Sequence, residues 1–384
     1  MKILNFTFEA PSRMYGGGIG IIQTLSSLCS FADVTYVGPE FDRDEFPELR
    51  ISDTFFLRES KSMSVKAANL LRGLTTRYYQ AWKAAAAEID PSYYDLAVID
   101  FSYNDFVERW AHKNGLRTVV RVHNIEQDMS YNSLHGKQHD RYWLRNRLNI
   151  SRIVERERRC MVACDRLVFL TDEDRLRASE LYGEQVGTKG VVVPVCVDVK
   201  HGDGDASYDA GRYVLATGSL YYGPNAEGIR WLIEEVWPLV KASPATSDLR
   251  LVVAGRRPTP ELRRAVEQGD GCELIDTPLD ISPYFRGAAL YAAPIFTGAG
   301  MKVKVAEALS YGLQVVGTEH SLIGYEEASA ALYEAESAED FAKGIVELVS
   351  TPRLDKGGVG ALYNSLFTLN RSAKDFESVV RDLV

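Results

Sequence analysis

The chain has 384 residues, 46% hydrophobic and 25% charged side chains, and a net charge of −9. That length exceeds one ordinary core and points to about two domains, while the acidic balance argues against nucleic acid as a partner. No run of about 18 apolar residues occurs, so no transmembrane helix is expected, and the start, MKILNFTFEAP, lacks the apolar core and cleavage site of a signal peptide. The five cysteines (Cys29, Cys160, Cys164, Cys196, Cys272) are scattered and read as reduced thiols of a cytoplasmic protein.

Apolar, β-rich runs fall at 2–8, 34–37, 96–100, 118–123, 167–171 and 191–195, and again at 213–218, 249–255, 273–276, 290–295, 314–317 and 331–333. Helix-period stretches such as 19–31, 226–241 and 260–268 separate most of them. Strands alternating with helices predict an α/β protein of two Rossmann-like, doubly wound parallel-sheet domains facing a cleft. Residues 199–211 are polar and rich in Gly and Asp, which makes them the linker between a domain of residues 1–198 and one of residues 212–370. Residues 371–384 read as an amphipathic helix that crosses back to the first domain. Two stretches of the first domain are basic. Residues 60–87 carry Lys61, Lys66, Arg72, Arg77 and Lys83 with no acid, and residues 137–166 hold nine Lys/Arg against four acids. Peripheral contact with an anionic membrane, at its inner face, is one reading of them; a solvated helix face is the other.

Glycines stand where ligands bind in such sheets, beyond the carboxyl ends of strands. The first strand leads to Gly16, Gly17, Gly18 and Gly20, the strand from 213 to Gly218, and the strand from 249 to Gly255, Arg256 and Arg257. The first run is not followed by the acid of a dinucleotide fingerprint, which disfavours a nicotinamide dehydrogenase. The densest signal is APIFTGAGMKVKVAEALSYGLQVVGT, residues 293–318. An apolar strand ends in a turn with Gly298 and Gly300, a helix pattern runs from Met301 to Tyr311 and stops at Gly312, and a second apolar run follows. This is one crossover unit, and its turn leaves backbone amides at a helix start where an anion can sit. Lys302 and Lys304 add positive charge, and Glu307 shares a helix face with Lys304. A phosphate beside a hydroxyl-rich sugar suits the set.

Three segments of the second half, 216–240, 249–258 and 296–318, match in order and spacing a known pattern, and the chain resembles the retaining GT-B glycosyltransferases of glycosyltransferase family 4 (glycosyl transferases group 1). The glycine run 16–20, the segment 122–126 and residues 164–177 resemble the family more loosely. The resemblance implies a hexosyltransferase-type enzyme that moves a sugar from a nucleotide-sugar donor, without a cofactor. By position, Glu307 would hold the ribose hydroxyls and Lys304, with Lys302, the diphosphate. Arg256 would be a further phosphate or base-side contact, Gly218, Thr297, Gly300 and Met301 would line the donor, and Gly17 and Gly18 would let backbone approach the diphosphate. His123 would sit beside the transferred sugar and Glu126 would pair with it or with the acceptor. The family's first glutamate is absent: Ala299 stands eight positions before Glu307.

Glycosyl transfer leaves negative charge on the departing diphosphate, which preorganised donors must stabilise. Lys304 and helix amides do this without a metal, and the one Asp-x-Asp triplet, Asp203 to Asp205, falls in the linker. The expectation is therefore a metal-independent transferase whose acceptor is a saccharide or polyprenyl-linked saccharide, as in polysaccharide biosynthesis. The rivals are a nucleotide-sugar epimerase of the same fold and a non-catalytic sugar-binding protein.

Overall fold

The computed structural model describes all residues except 14, 60, 61, 63–77, 136–142, 198–206 and 299. The chain divides into two compact units, Met1–Cys196 with Leu369–Val384, and Val197–Thr368. Most of residues 199–211, most of the basic stretch 60–87, part of the stretch 137–166, and Ala299 lie outside the described residues.

The first unit holds a seven-stranded sheet in the order β3-β2-β1-β4-β5-β6-β7, every pairing parallel. Its strands are β1 (Lys2–Phe6), β2 (Asp33–Pro39), β3 (Asp53–Leu57), β4 (Leu96–Asp100), β5 (Arg117–Val122), β6 (Arg166–Phe169) and β7 (Gly190–Val192). The second unit has six parallel strands ordered β10-β9-β8-β11-β12-β13. These are β8 (Tyr213–Ser219), β9 (Arg250–Arg256), β10 (Cys272–Asp276), β11 (Leu290–Ala293), β12 (Val315–Gly317) and β13 (Leu332–Glu334). The sequence pattern does not announce β3: DTFFL is short, lies at the sheet edge and is only partly buried. Both sheets reverse their strand order once, between β1 and β4 and between β8 and β11. Crevices open at such switch points, at the carboxyl ends of the strands.

Six helices matter for the sites: α1 (Gly16–Cys29), α2 (Glu126–His135), α3 (Trp143–Ala163), α4 (Gly223–Trp231), α5 (Val303–Ser310) and α6 (Leu369–Arg381). The alternate faces of β1, β4 and β5 feed two cores: Leu4, Phe6, Ala97, Ile99, Val120 and Val122 on one side, and Ile3, Val98 and Val119 with α1 and α6 on the other. Phe376, Val379 and Val380 of α6 are part of that second core, so this helix is integral to the first unit. In the second unit α4 approaches the sheet through Gly228, where a Cβ would fall 1.6 Å from the Pro294 carbonyl oxygen. Only a glycine permits that contact.

Candidate functional site

The second unit's switch point gathers the strongest candidates. Lys304 lies in the first turn of α5 and its Nζ donates to Asn225 Oδ1 at 2.7 Å. Asn225 belongs to α4 and is itself fixed by donating to the Ser219 carbonyl at 3.1 Å. Gly218, a residue of β8 rather than of a turn, makes the room: a Cβ there would meet Asn225 Nδ2 at 2.8 Å and Lys304 Nζ at 3.1 Å. Thr217, Asn225, Ile229, Pro294 and Lys304 line one small crevice. Burial pulls the Lys304 ammonium down to about 7, with Lys302 adding repulsion. Burial likewise pushes the Glu307 carboxyl up to about 7, against the pull of Lys304. The two do not form an ion pair; Glu307 has no ion-pair or side-chain hydrogen-bond partner among the described residues. A partly buried carboxylate left in this state carries a desolvation cost that a donor from outside can offset.

The helix pattern expected from Met301 starts two residues later. Lys302 is the extended N-cap of α5, its carbonyl accepts from the Val305 amide at 2.8 Å and from the Tyr325 hydroxyl at 2.8 Å, and Tyr325 in turn accepts from the Ala306 amide at 3.1 Å. The Lys302 ammonium folds back onto the Gly300 carbonyl at 2.6 Å. Gly298 and Gly300 have φ of 119° and 68°, a turn that side-chain-bearing residues would strain. Met301 is buried and Thr297 exposed. No side chain caps α5 and no acid sits in its first turn, so its positive end is not neutralised. Arg256 ends β9, cross-strand from Ser219 of β8, which puts it at the same edge.

The first unit answers with a polar network inside its core. Asp100 ends β4 at the β1/β4 switch point and is fully buried. Its Oδ2 accepts from Asn5 at 3.0 Å, and its Oδ1 accepts from the Thr24 hydroxyl at 3.1 Å and lies 2.9 Å from His123 Nε2. Arg121, in register with Asp100 across β4 and β5, is also fully buried. It donates to the Gly20 carbonyl (2.8 Å), the Thr24 hydroxyl (2.6 Å) and Gln23 Oε1 (2.7 Å). Asn5 Oδ1 and Arg121 Nε are left without a partner. His123 is 5% exposed, and its ring stacks on Phe101 at 4.2 Å, a residue held at φ 72°. Burial lowers the imidazole pKa, partly offset by the Asp100 bond, so the ring is neutral.

The glycine run 16–20 corrects an expectation. It is the first turn of α1 and not a loop before it. A Cβ on Gly18 would strike the Ser12 backbone at 2.6 Å, one on Gly17 would meet the Glu9 carboxylate at 2.7 Å, and one on Gly20 would meet His123 at 2.7 Å. These glycines permit close packing of the start of α1 against its neighbours. Glu126 opens α2, where the buried Glu157 of α3 already occupies the helix start: Glu157 accepts from the Glu126 amide (2.8 Å), the Gln127 amide (3.0 Å), Ser102 (2.9 Å) and Tyr182 (2.6 Å).

Asn225, Asp100, Glu157 and His320, which the structure brings to these two places, were not singled out from the sequence. Asn225 had a visible signal, the Pro224-Asn225 pair at a helix start, and Asp100 ends an apolar strand. His320 had none. It lies beside the glycine turn, with its Nε2 buried and unpartnered, and burial drops its pKa to about 4. Among the described residues no group of three His, Cys, Asp or Glu could hold a metal ion, and no helix is long and apolar enough to cross a membrane.

Residues 211–351 match the family model of glycosyl transferases group 1. A curated relative from Klebsiella pneumoniae, described as an uncharacterized 44.6 kDa protein in the cps region, is 28% identical over 163 residues, which are 40% of this chain and 39% of the relative. Among solved structures, Anabaena HepE in complex with UDP-glucose is 12% identical with a TM-score of 0.68, covering 100% of both chains. A glycosyltransferase from Rickettsia africae is 12% identical with a TM-score of 0.66, covering 100% of this chain and 98% of the other. The chain has the fold of the GT-B glycosyltransferases, two parallel-sheet α/β domains, and over residues 211–351 it is similar to the glycosyl transferases group 1.

Proposed function

We propose that this protein is a retaining, metal-independent glycosyltransferase that uses a nucleoside diphosphate sugar and delivers the sugar to a hydroxyl of a saccharide or lipid-linked saccharide. The observation that carries the reading is the pair at the β8/β11 switch point: Lys304, partly buried and held by one neutral amide, and Glu307, partly buried with no partner of its own among the described residues. A nucleoside diphosphate supplies what each lacks. Its phosphate oxygens give Lys304 a counter-charge, and the ribose hydroxyls give Glu307 two donors. The uncapped start of α5 adds its partial positive charge to the same anion. In the transfer step the bond from the anomeric carbon to the diphosphate breaks, and the growing negative charge meets donors already in place. Arg256 and the turn from Thr297 to Lys302 are further donor contacts in this reading, and Leu279, fully exposed on the loop before Ser282, is an apolar surface for the base.

A neutral His123 suits holding a sugar hydroxyl, and Glu126 an acceptor hydroxyl. The HepE complexes, which contain UDP and UDP-glucose, make UDP the first nucleotide to try. The test is a thermal-shift screen against UDP, GDP, dTDP and ADP in EDTA. Stabilisation by one of them that disappears in Glu307→Ala supports the donor site. Turnover lost on chelation and restored by magnesium or manganese overturns metal independence, and no shift with any nucleotide overturns the transferase reading.

A further inference from the structure

We propose that Arg121 is a positioning residue for His123: acting through Thr24, it fixes Asp100 and so the ring tautomer of His123, and α6 completes the support from behind. The inference rests on the transferase reading for its catalytic meaning, but the network itself stands on geometry alone. An arginine with no exposed surface is costly to bury, and it forms no ion pair with Asp100. Instead one guanidinium nitrogen is shared by the Gly20 carbonyl and the Thr24 hydroxyl, and the Thr24 hydroxyl donates a hydrogen bond to Asp100 Oδ1. Thr24 is thereby a link between the two: it accepts from the guanidinium, and its one hydroxyl proton faces both Asp100 Oδ1 (3.1 Å) and the Gly20 carbonyl (3.2 Å), of which the carboxylate is the stronger acceptor.

Asp100, with Asn5 on its other oxygen, then has one open direction, toward His123 Nε2. A carboxylate only accepts, so Nε2 carries the ring proton and Nδ1 keeps the lone pair. Gly20, whose carbonyl Arg121 holds, is also the residue whose bare Cα makes space at Nδ1. One guanidinium therefore sets both ends of the imidazole.

The support reaches α6. Gln23 Oε1 accepts from Arg121, and Gln23 Nε2 donates to Ser372 Oγ at 2.9 Å and to the Pro194 carbonyl at 2.8 Å. Ser372 also bonds Ser27 of α1 at 3.0 Å, and the Phe376 ring lies 5.4 Å below the guanidinium. A segment more than 240 residues away in sequence thus closes the pocket around Arg121.

Replacing Arg121 itself risks the fold, so the test uses Thr24→Val, close in shape and lacking the hydroxyl, with Thr24→Ser as the conservative rescue. The ring nitrogens of His123 are followed by nitrogen-15 NMR in the full chain, and transfer is assayed with the nucleotide sugar that the screen identifies. Thr24→Val is expected to move the His123 shifts away from the Nε2-protonated tautomer and lower kcat about tenfold or more, the scale of a displaced catalytic contact, with the donor KM little changed. Thr24→Ser should restore both. Unchanged nitrogen shifts in Thr24→Val overturn the proposal whatever the turnover, and changed shifts with unaltered kcat overturn the positioning role. Absence of transfer in the unsubstituted protein would sink the transferase reading, while the NMR comparison still decides the network.

Discussion

The two switch points use their polar groups in opposite ways. At β1/β4, Asp100, Arg121, Thr24, Gln23 and His123 are joined by hydrogen bonds to one another and to Asn5, Gly20, Pro194 and Ser372, with Arg121 Nε left over. At β8/β11, Lys304 has one neutral partner, Glu307 none, and the nearby His320 Nε2 none. A network satisfied internally gains rigidity and resists change, because removing any member orphans the others. A set left unsatisfied costs stability in the free protein and gains when a ligand arrives. The first pattern suits a scaffold that orients one ring, the second a receptor for a charged, hydroxyl-bearing molecule.

The sharpest way to break this contrast is to remove one carboxylate from each side. Asp100→Ala should destabilise the first unit by about 3–5 kcal/mol, because Arg121 loses its nearest compensating charge and three donors lose their acceptor; urea unfolding followed by circular dichroism reads this. Lys304→Ala should leave the melting temperature of the free protein unchanged or raise it, since a buried cation is gone. It should weaken nucleoside diphosphate binding by about 2 kcal/mol, the worth of a charged hydrogen bond, which calorimetry measures. Glu307→Gln keeps the shape and removes the buried charge. The free protein should again melt no lower, and the nucleotide should lose about 1 kcal/mol of affinity. A fall in melting temperature comparable to that of Asp100→Ala would show that the second site is as self-satisfied as the first.

The smallest effect is on pH. The Lys304 value, lowered to about 7, means that its ammonium is present below pH 7 and is progressively lost as the pH rises above it. A diphosphate favours the charged form and must restore that proton. Binding measured at pH 8 in buffers of different ionisation heat should therefore show proton uptake, and affinity should fall severalfold between pH 7 and pH 9. Glu307 is raised to about 7 by burial, and ribose hydroxyls donating to its carboxylate favour the ionised form, so proton release from Glu307 offsets the uptake below pH 7. The Lys304→Ala protein should lose the uptake seen at pH 8.

Most of the α/β architecture was legible because apolar periodicity is a local property. The runs at 2–8, 96–100, 213–218 and 290–295 all became strands; the first and last were trimmed by two residues at the carboxyl end, the second kept its bounds and the third gained Ser219. The edge strand β3 was not legible, because an edge strand buries too little to impose a pattern. Lys302, Lys304 and Glu307 were visible because glycine turn, charge and helix follow one another within a dozen residues. Their different fates, Lys302 folded onto a carbonyl, Lys304 held by Asn225 and Glu307 left alone, were decided by elements up to 79 positions away.

The sequence by itself determined the alternation of strand and helix, the glycine turn at 298–300 and the placing of charge beside it, since each depends on neighbours in the chain. Only the tertiary structure decided that Gly16 to Gly20 begin a helix, that Gly20 yields space to His123, and that α6 reaches Arg121 through Gln23 and Ser372. Those outcomes depend on which surfaces meet when the sheet assembles. A buried polar group then takes whichever partner the packing brings within 3 Å, and no local pattern of letters records that choice.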